Sequence, residues 1–144
     1  MSITGALDTI DSLISGVSNP SFTYVLRGEP LTIPTTPIAA FWLSSHRELF
    51  TTFGDASTAC TLIIRCYWRQ QLSPDVREDI EKEIWNAAVS IKTALRGDSN
   101  LSGNCTDSEP LDSAITIDVL NGQPFRTLTI PFEVEIYGEV PIAP

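Results

Sequence analysis

Basic side chains are scarce in this chain. Lysine and arginine together number 9 against 18 aspartates and glutamates, for a net charge of −9. Tight nucleic-acid binding rests on a surface rich in lysine and arginine, so this balance excludes a grip on phosphates and opposes a single-strand groove. Histidine occurs once, at His46, with no neighbouring cysteine or histidine to give a metal-ligand spacing. The 3 cysteines are too few, and odd in number, for a disulfide framework, and they fit a reducing compartment. No apolar run approaches the roughly 20 residues of a membrane-spanning helix. The N-terminus has neither the basic start nor the continuous apolar segment of a secretory signal. "SNLSGN", at 99–104, is poor in glycine and lacks the lysine of a phosphate loop, which excludes that mode of nucleotide binding. Internal repeats are also missing.

What is present reads as a single domain over 1–144. The 144 residues are 42% hydrophobic, enough to bury a core. Residues 60–97, "CTLIIRCYWRQQLSPDVREDIEKEIWNAAVSIKTALRG", hold the clearest pattern. Cys60, Leu62, Ile64, Cys66 and Trp68 alternate with Thr61, Ile63, Arg65 and Tyr67, followed by Arg69. This predicts a strand with one apolar and one mixed face. Cys60 and Cys66 share the apolar face about 20 Å apart, beyond the reach of a disulfide. A helix then begins at Ser73 as N-cap, with Pro74 in its first turn. Val76, Ile80, Ile84, Ala87, Ala88, Ile91 and Leu95 form its apolar stripe. Gly97 is expected to close it in the left-handed conformation. The charged run Arg77–Glu83 lies mostly off the stripe and reads as a solvated or subunit-facing surface rather than as catalytic carboxylates.

Elsewhere, residues 2–17 carry an apolar stripe from Ile3 to Val17, a helix that docks on a sheet. "FTYVLRG" at 22–28 and "IAAFWL" at 38–43 predict strands, joined by the proline-rich connector 28–37. Residues 44–58 predict a short hairpin or an ordered loop. Residues 97–112 predict a long polar loop holding Cys105 as a free thiol. "SAITIDVL" and the strand from Thr127 to Tyr137 flank Asn121-Gly122, a strong hairpin signal. Pro131 marks an edge or bulge in the second strand. The terminal "GEVPIAP", 138–144, reads as an extended arm.

These elements predict an α+β fold: a single, mostly antiparallel sheet, two helices packed on one face, extended loops and a C-terminal hairpin. The other face is expected to stay open, exposing Thr61, Arg65, Tyr67, Thr116, Asp118, Thr127, Thr129, Glu133 and Glu135. An enzyme built on Cys105 or His46 is disfavoured, because no base and orienting partner can be composed around either. No cofactor or metal is expected. Trp42, Phe50, Phe53 and Trp68 are candidates for core, interface, or a share of each.

This ordered set resembles the tail terminator (tail completion) proteins of long-tailed phages. The likeness rests on the N-terminal helix, "GEPLTIPTTPIAAFWL", "ACTLIIRCYW", the capped helix "SPDVREDIEKEIWNAAVSIKTALRG", the polar loop, and the closing strands "SAITIDVL" and "FRTLTIPFEVEIYG". It implies a non-enzymatic ring, usually a hexamer, at the head-proximal end of the tail tube. Such a ring stops tube polymerisation and meets the neck of the head, while DNA passes through its lumen. The implied partners are further copies of the chain, the tail-tube protein and a connector protein. The implied location is the virion, after assembly in host cytoplasm. Another neck or tube-like component of the same virion is the alternative. Asp118, Glu133 and Glu135 are candidate lumen residues, or residues that only keep the surface soluble. Arg65 and Arg69, with Tyr67 beside them, are candidates for contacts with an adjacent subunit.

Overall fold

The computed structural model describes residues 2–50 and 56–137; the arm at 138–144 and Phe53 lie outside the described residues. Helix α1 (Ile3–Ser15) begins where Ser2 Oγ accepts from the Gly5 amide at 3.0 Å, satisfying one of the free N–H groups of the first turn. Strands β1 (Val25–Arg27), β2 (Ile38–Phe50) and β3 (Ala56–Arg69) precede helix α2 (Pro74–Arg96). Strands β4 (Asp107–Pro110), β5 (Ala114–Leu120) and β6 (Gln123–Tyr137) follow it. The fold is α+β with a single six-stranded open sheet.

The sheet order is β1-β2-β3-β6-β4, with β5 also on β6. β1 pairs with β2 in parallel and every other ladder is antiparallel, so the sheet is mixed. β4 and β5 occupy successive lengths of the same edge of β6. Pro131 falls where they break: its carbonyl accepts from Leu111, so the N–H it lacks faces the interruption rather than a ladder partner.

Alternation along β3 and β6 creates two faces. The inner face carries Cys60, Leu62, Ile64, Cys66 and Trp68 of β3 and Leu128, Ile130, Phe132, Val134 and Ile136 of β6. These residues form one cluster with Ala6, Ile10 and Ile14 of α1 and with Ile84, Ala87, Ile91 and Leu95 of α2. Trp68 ties strand to helix, donating from Nε1 to Glu83 at 2.9 Å. Arg27 anchors α1 to β1 through Asp8 at 2.7 Å and Asp11 at 2.9 Å.

Several local expectations change. Of the two readings of 44–58 the hairpin holds, as the end of a long one: β2 runs on to Phe50, β3 begins at Ala56, and the two pair antiparallel there. A register shift between Leu43 and Ser45 turns the strand over. The loop 97–112 contains β4, and Leu101 and Cys105 within it are buried in the main cluster. Cys105 is a free thiol on the irregular part of this loop, as expected, but it is turned into the core. Strand 22–28 shortens to β1. Ser73 makes no side-chain cap bond, and Gly97 stays right-handed at φ −70°.

Candidate functional site

The mixed outer face is built by the odd-numbered residues of β3 and β6. Across it run rows set by register: Ala40–Arg65–Thr129–Ala114 and Ile38–Tyr67–Thr127–Thr116. At the other end of the face, Ser45–Thr61–Glu133–Glu109 and Arg47–Ala59–Glu135–Asp107 form two further rows.

This face is not uniformly open. Ile33, from the proline-rich connector, folds over it and forms a second buried cluster with Ile38, Ala40, Tyr67 and Phe125. Tyr67, expected to be exposed, is therefore only 2% accessible and meets Phe125 edge-on at 6.3 Å. Burial pushes its phenol up from the ordinary value, against a hydrogen bond with Arg65 that draws it down. Thr127, also expected on the open surface, is fully buried. Its hydroxyl lies 2.8 Å from that of Thr116 and donates to Asp118 at 3.2 Å. A buried hydroxyl needs such partners, and β5 brings them.

Beside this second cluster lies a cleft of about 480 Å³. Its walls bring together five of the residues expected on the outer face, Arg65, Tyr67, Thr116, Asp118 and Thr129, and add Glu29. Arg65 donates from Nε to Thr129 at 3.0 Å, and its guanidinium lies 5.3 Å from the Trp42 ring centre. The cation–π contact and the threonine hold it in place, while no carboxylate closes on it as an ion pair among the described residues. The arrangement is one cation held in a cleft whose walls also carry two carboxylates, Glu29 and Asp118.

Glu133 and Glu135 lie elsewhere, in a separate hollow of about 160 Å³ lined also by Asp107, Ser108 and Glu109. Both are exposed. Arg69 joins neither group: it donates toward the Pro34 carbonyl at 3.5 Å, and its Nε is buried without a partner. The face thus separates into a mixed-charge cleft around Arg65 and an acidic patch.

Sequence reasoning missed Glu29 of the cleft, and it missed Asp107 and Glu109, which are half of the acidic patch. The alternation of acidic residues in "TDSEPLD" was the available signal for a short edge strand. No group of three histidine, cysteine, aspartate or glutamate residues able to hold a metal ion occurs among the described residues. His46 is exposed on β2. Burial, the largest influence, drives the Cys105 thiol up to about 11. Cys66 is pushed higher still by burial alone. Neither thiol is poised as a nucleophile near neutral pH. No helix among the described residues is long and apolar enough to cross a membrane. The chain matches no protein-family model and no curated protein sequence.

Proposed function

We propose that the chain is a structural subunit of a ring that caps the head-proximal end of a phage tail tube. The observation that carries this reading is the order of elements around one sheet. A short docked helix, a strand run, one long helix and closing strands support the likeness drawn from the sequence. The ring, a hexamer in this reading, ends tube polymerisation and offers its far side to a neck or connector protein. It works in the virion, is assembled in host cytoplasm, and needs neither catalysis nor a cofactor.

In this ring Glu133 and Glu135, joined by Asp107 and Glu109, line the lumen. Four carboxylates on one patch repel the phosphates of passing DNA, which then moves without sticking. Arg65, held open-handed by Trp42 and Thr129, meets an acidic group of the adjacent subunit, with Asp118 at the cleft wall. Arg69 flanks that contact, while Tyr67 supports it from beneath. The same reading has both helices on one face and a hairpin closing the C-terminal end. The apolar cluster shared by α1, α2 and the inner face supports the first, and the pairing of β5 with β6 across Asn121-Gly122 supports the second.

Light scattering on the purified chain, alone and with tail-tube protein, tests the proposal. A hexamer, or a monomer that forms rings on tube ends and halts their growth, upholds it. A stable monomer that ignores tubes overturns it in favour of another neck component.

A further inference from the structure

β5 is left uncovered on its inner face. Ile115, Ile117 and Val119 stand opposite Leu128, Arg126 and Pro124 of β6, yet are 45%, 55% and 65% accessible. α2 stops short of them: Arg126, opposite Ile117, is held by Glu81 at 2.8 Å, and Trp85, one turn further along the helix, is 69% accessible. The outer backbone edge of β5 also pairs with no strand among the described residues. An unpaired edge beside an apolar stripe is a template for an added strand.

The chain carries a matching segment. In "GEVPIAP", 138–144, Val140 and Ile142 are two apart. In extended backbone they share both a side-chain face and a hydrogen-bonding edge. Pro141 between them then turns its nitrogen, which has no hydrogen to donate, to the opposite edge, where an outermost strand tolerates it. Glu139 is the segment's one charge.

Reach decides whose β5 it occupies. Ile142 is five residues beyond Tyr137, the end of β6, so it extends at most about 18 Å from there. The nearest residue of the stripe, Ile115, stands opposite Leu128, about 30 Å back along the strand. The segment cannot reach the β5 of its own copy.

We infer that residues 138–144 of one copy add as an edge strand to β5 of a second copy, seating Val140 and Ile142 on Ile115, Ile117 and Val119. The inference rests on the ring reading and names the contact that links its subunits. It is a head-to-tail contact, in which one copy gives the arm and the next gives the edge, so it closes into a ring when the rotation permits. Pro141 on the new outer edge stops a further strand from joining.

The test uses full-length Ile117→Cys and Ile142→Cys variants, purified separately, then mixed and oxidised, alone and on tail-tube ends. The native cysteines are buried and do not compete. Disulfide dimers carrying one of each variant are expected. Absence of the mixed disulfide under both conditions overturns the inference, and so does a double variant that closes the bond within one copy. In parallel, Val140→Asp with Ile142→Asp is expected to weaken association at least about tenfold, because a carboxylate would be buried against apolar side chains. Ile117→Asp on the exposed stripe is expected to do the same with its thermal unfolding unchanged. A ring that persists without the cross-link removes the arm but leaves the ring reading standing; a chain that neither assembles nor halts tubes removes both.

Discussion

Glu109 stands directly opposite Glu133 across the β4–β6 ladder, and Asp107 repeats the arrangement against Glu135. Like charges facing one another on adjacent strands destabilise the pair. The isolated chain therefore carries an electrostatic cost along this edge. Glu133→Gln is expected to raise the thermal midpoint at low ionic strength. That gain should vanish near 1 M salt, where screening acts over about 3 Å. A midpoint indifferent to both changes would mean that solvent already screens the pairs.

Charge reversal separates stability from function. Under the ring proposal, Glu133→Lys with Glu135→Lys should fold at least as well as the parent, since each lysine replaces a like-charge pair with an opposite one. Phage carrying the pair should nonetheless lose DNA passage or retention, read as a fall in infectious titre with normal particle counts. An unchanged titre sinks the lumen role of this patch.

The thiols set an alkaline limit. Cys105 is held up to about 11, chiefly by burial, and Cys66 is raised in the same direction. In the unfolded chain both return to the ordinary thiol value near 9.0. Above that pH the unfolded state binds fewer protons than the folded one, so stability falls as pH rises. The contribution of Cys105 is whole below pH 9 and is lost between there and about 11. Urea midpoints at pH 8, 9, 10 and 11 should decline over that window, and a thiol reagent at pH 8 should label the folded chain only after denaturant is added. Rapid labelling without denaturant contradicts the burial of these groups.

Trp68→Phe keeps most of the ring in the core but removes the donor to Glu83. The loss is expected to be about 1–3 kcal/mol, as for a hydrogen bond to a charged group in a partly dry site. Urea denaturation measures it. In Glu83→Leu the same tryptophan change should cost markedly less, since the acceptor is already gone; equal losses in the two backgrounds would show that the bond contributes nothing.

Gly5→Ala should destabilise, against helix propensity, which favours alanine by about 1 kcal/mol. A Cβ at this position overlaps the side chain of Asn104, which is itself held by the Leu101 carbonyl at 2.9 Å. Adding Asn104→Ala should restore much of the thermal midpoint. A single Gly5→Ala variant more stable than the parent would show that Asn104 moves aside freely.

The sequence alone determined the elements whose signal is periodic and local. The two-residue alternation from Cys60 to Trp68 and from Leu128 to Ile136, and the stripe from Ile80 to Leu95, each fix which side chains turn inward. Asn121 and Gly122 lie at φ 55° and 79°, and their residue types announced that turn because positive φ is costly elsewhere. Tertiary structure decided the rest. The outer parts of β2, and β4, are polar strands held by backbone ladders, so no apolar pattern marks them. The register shift after Leu43 reverses which residues face outward, and a local alternation cannot report it. Tyr67 and Thr127 alternate as exposed residues should, yet Ile33 covers one from a distant connector and β5 satisfies the other. Their burial depends on long-range packing, as does the meeting of Arg65 with Trp42 and of four carboxylates at one edge. A side chain's face is set by its neighbours in sequence; what covers that face is set by segments tens of residues away.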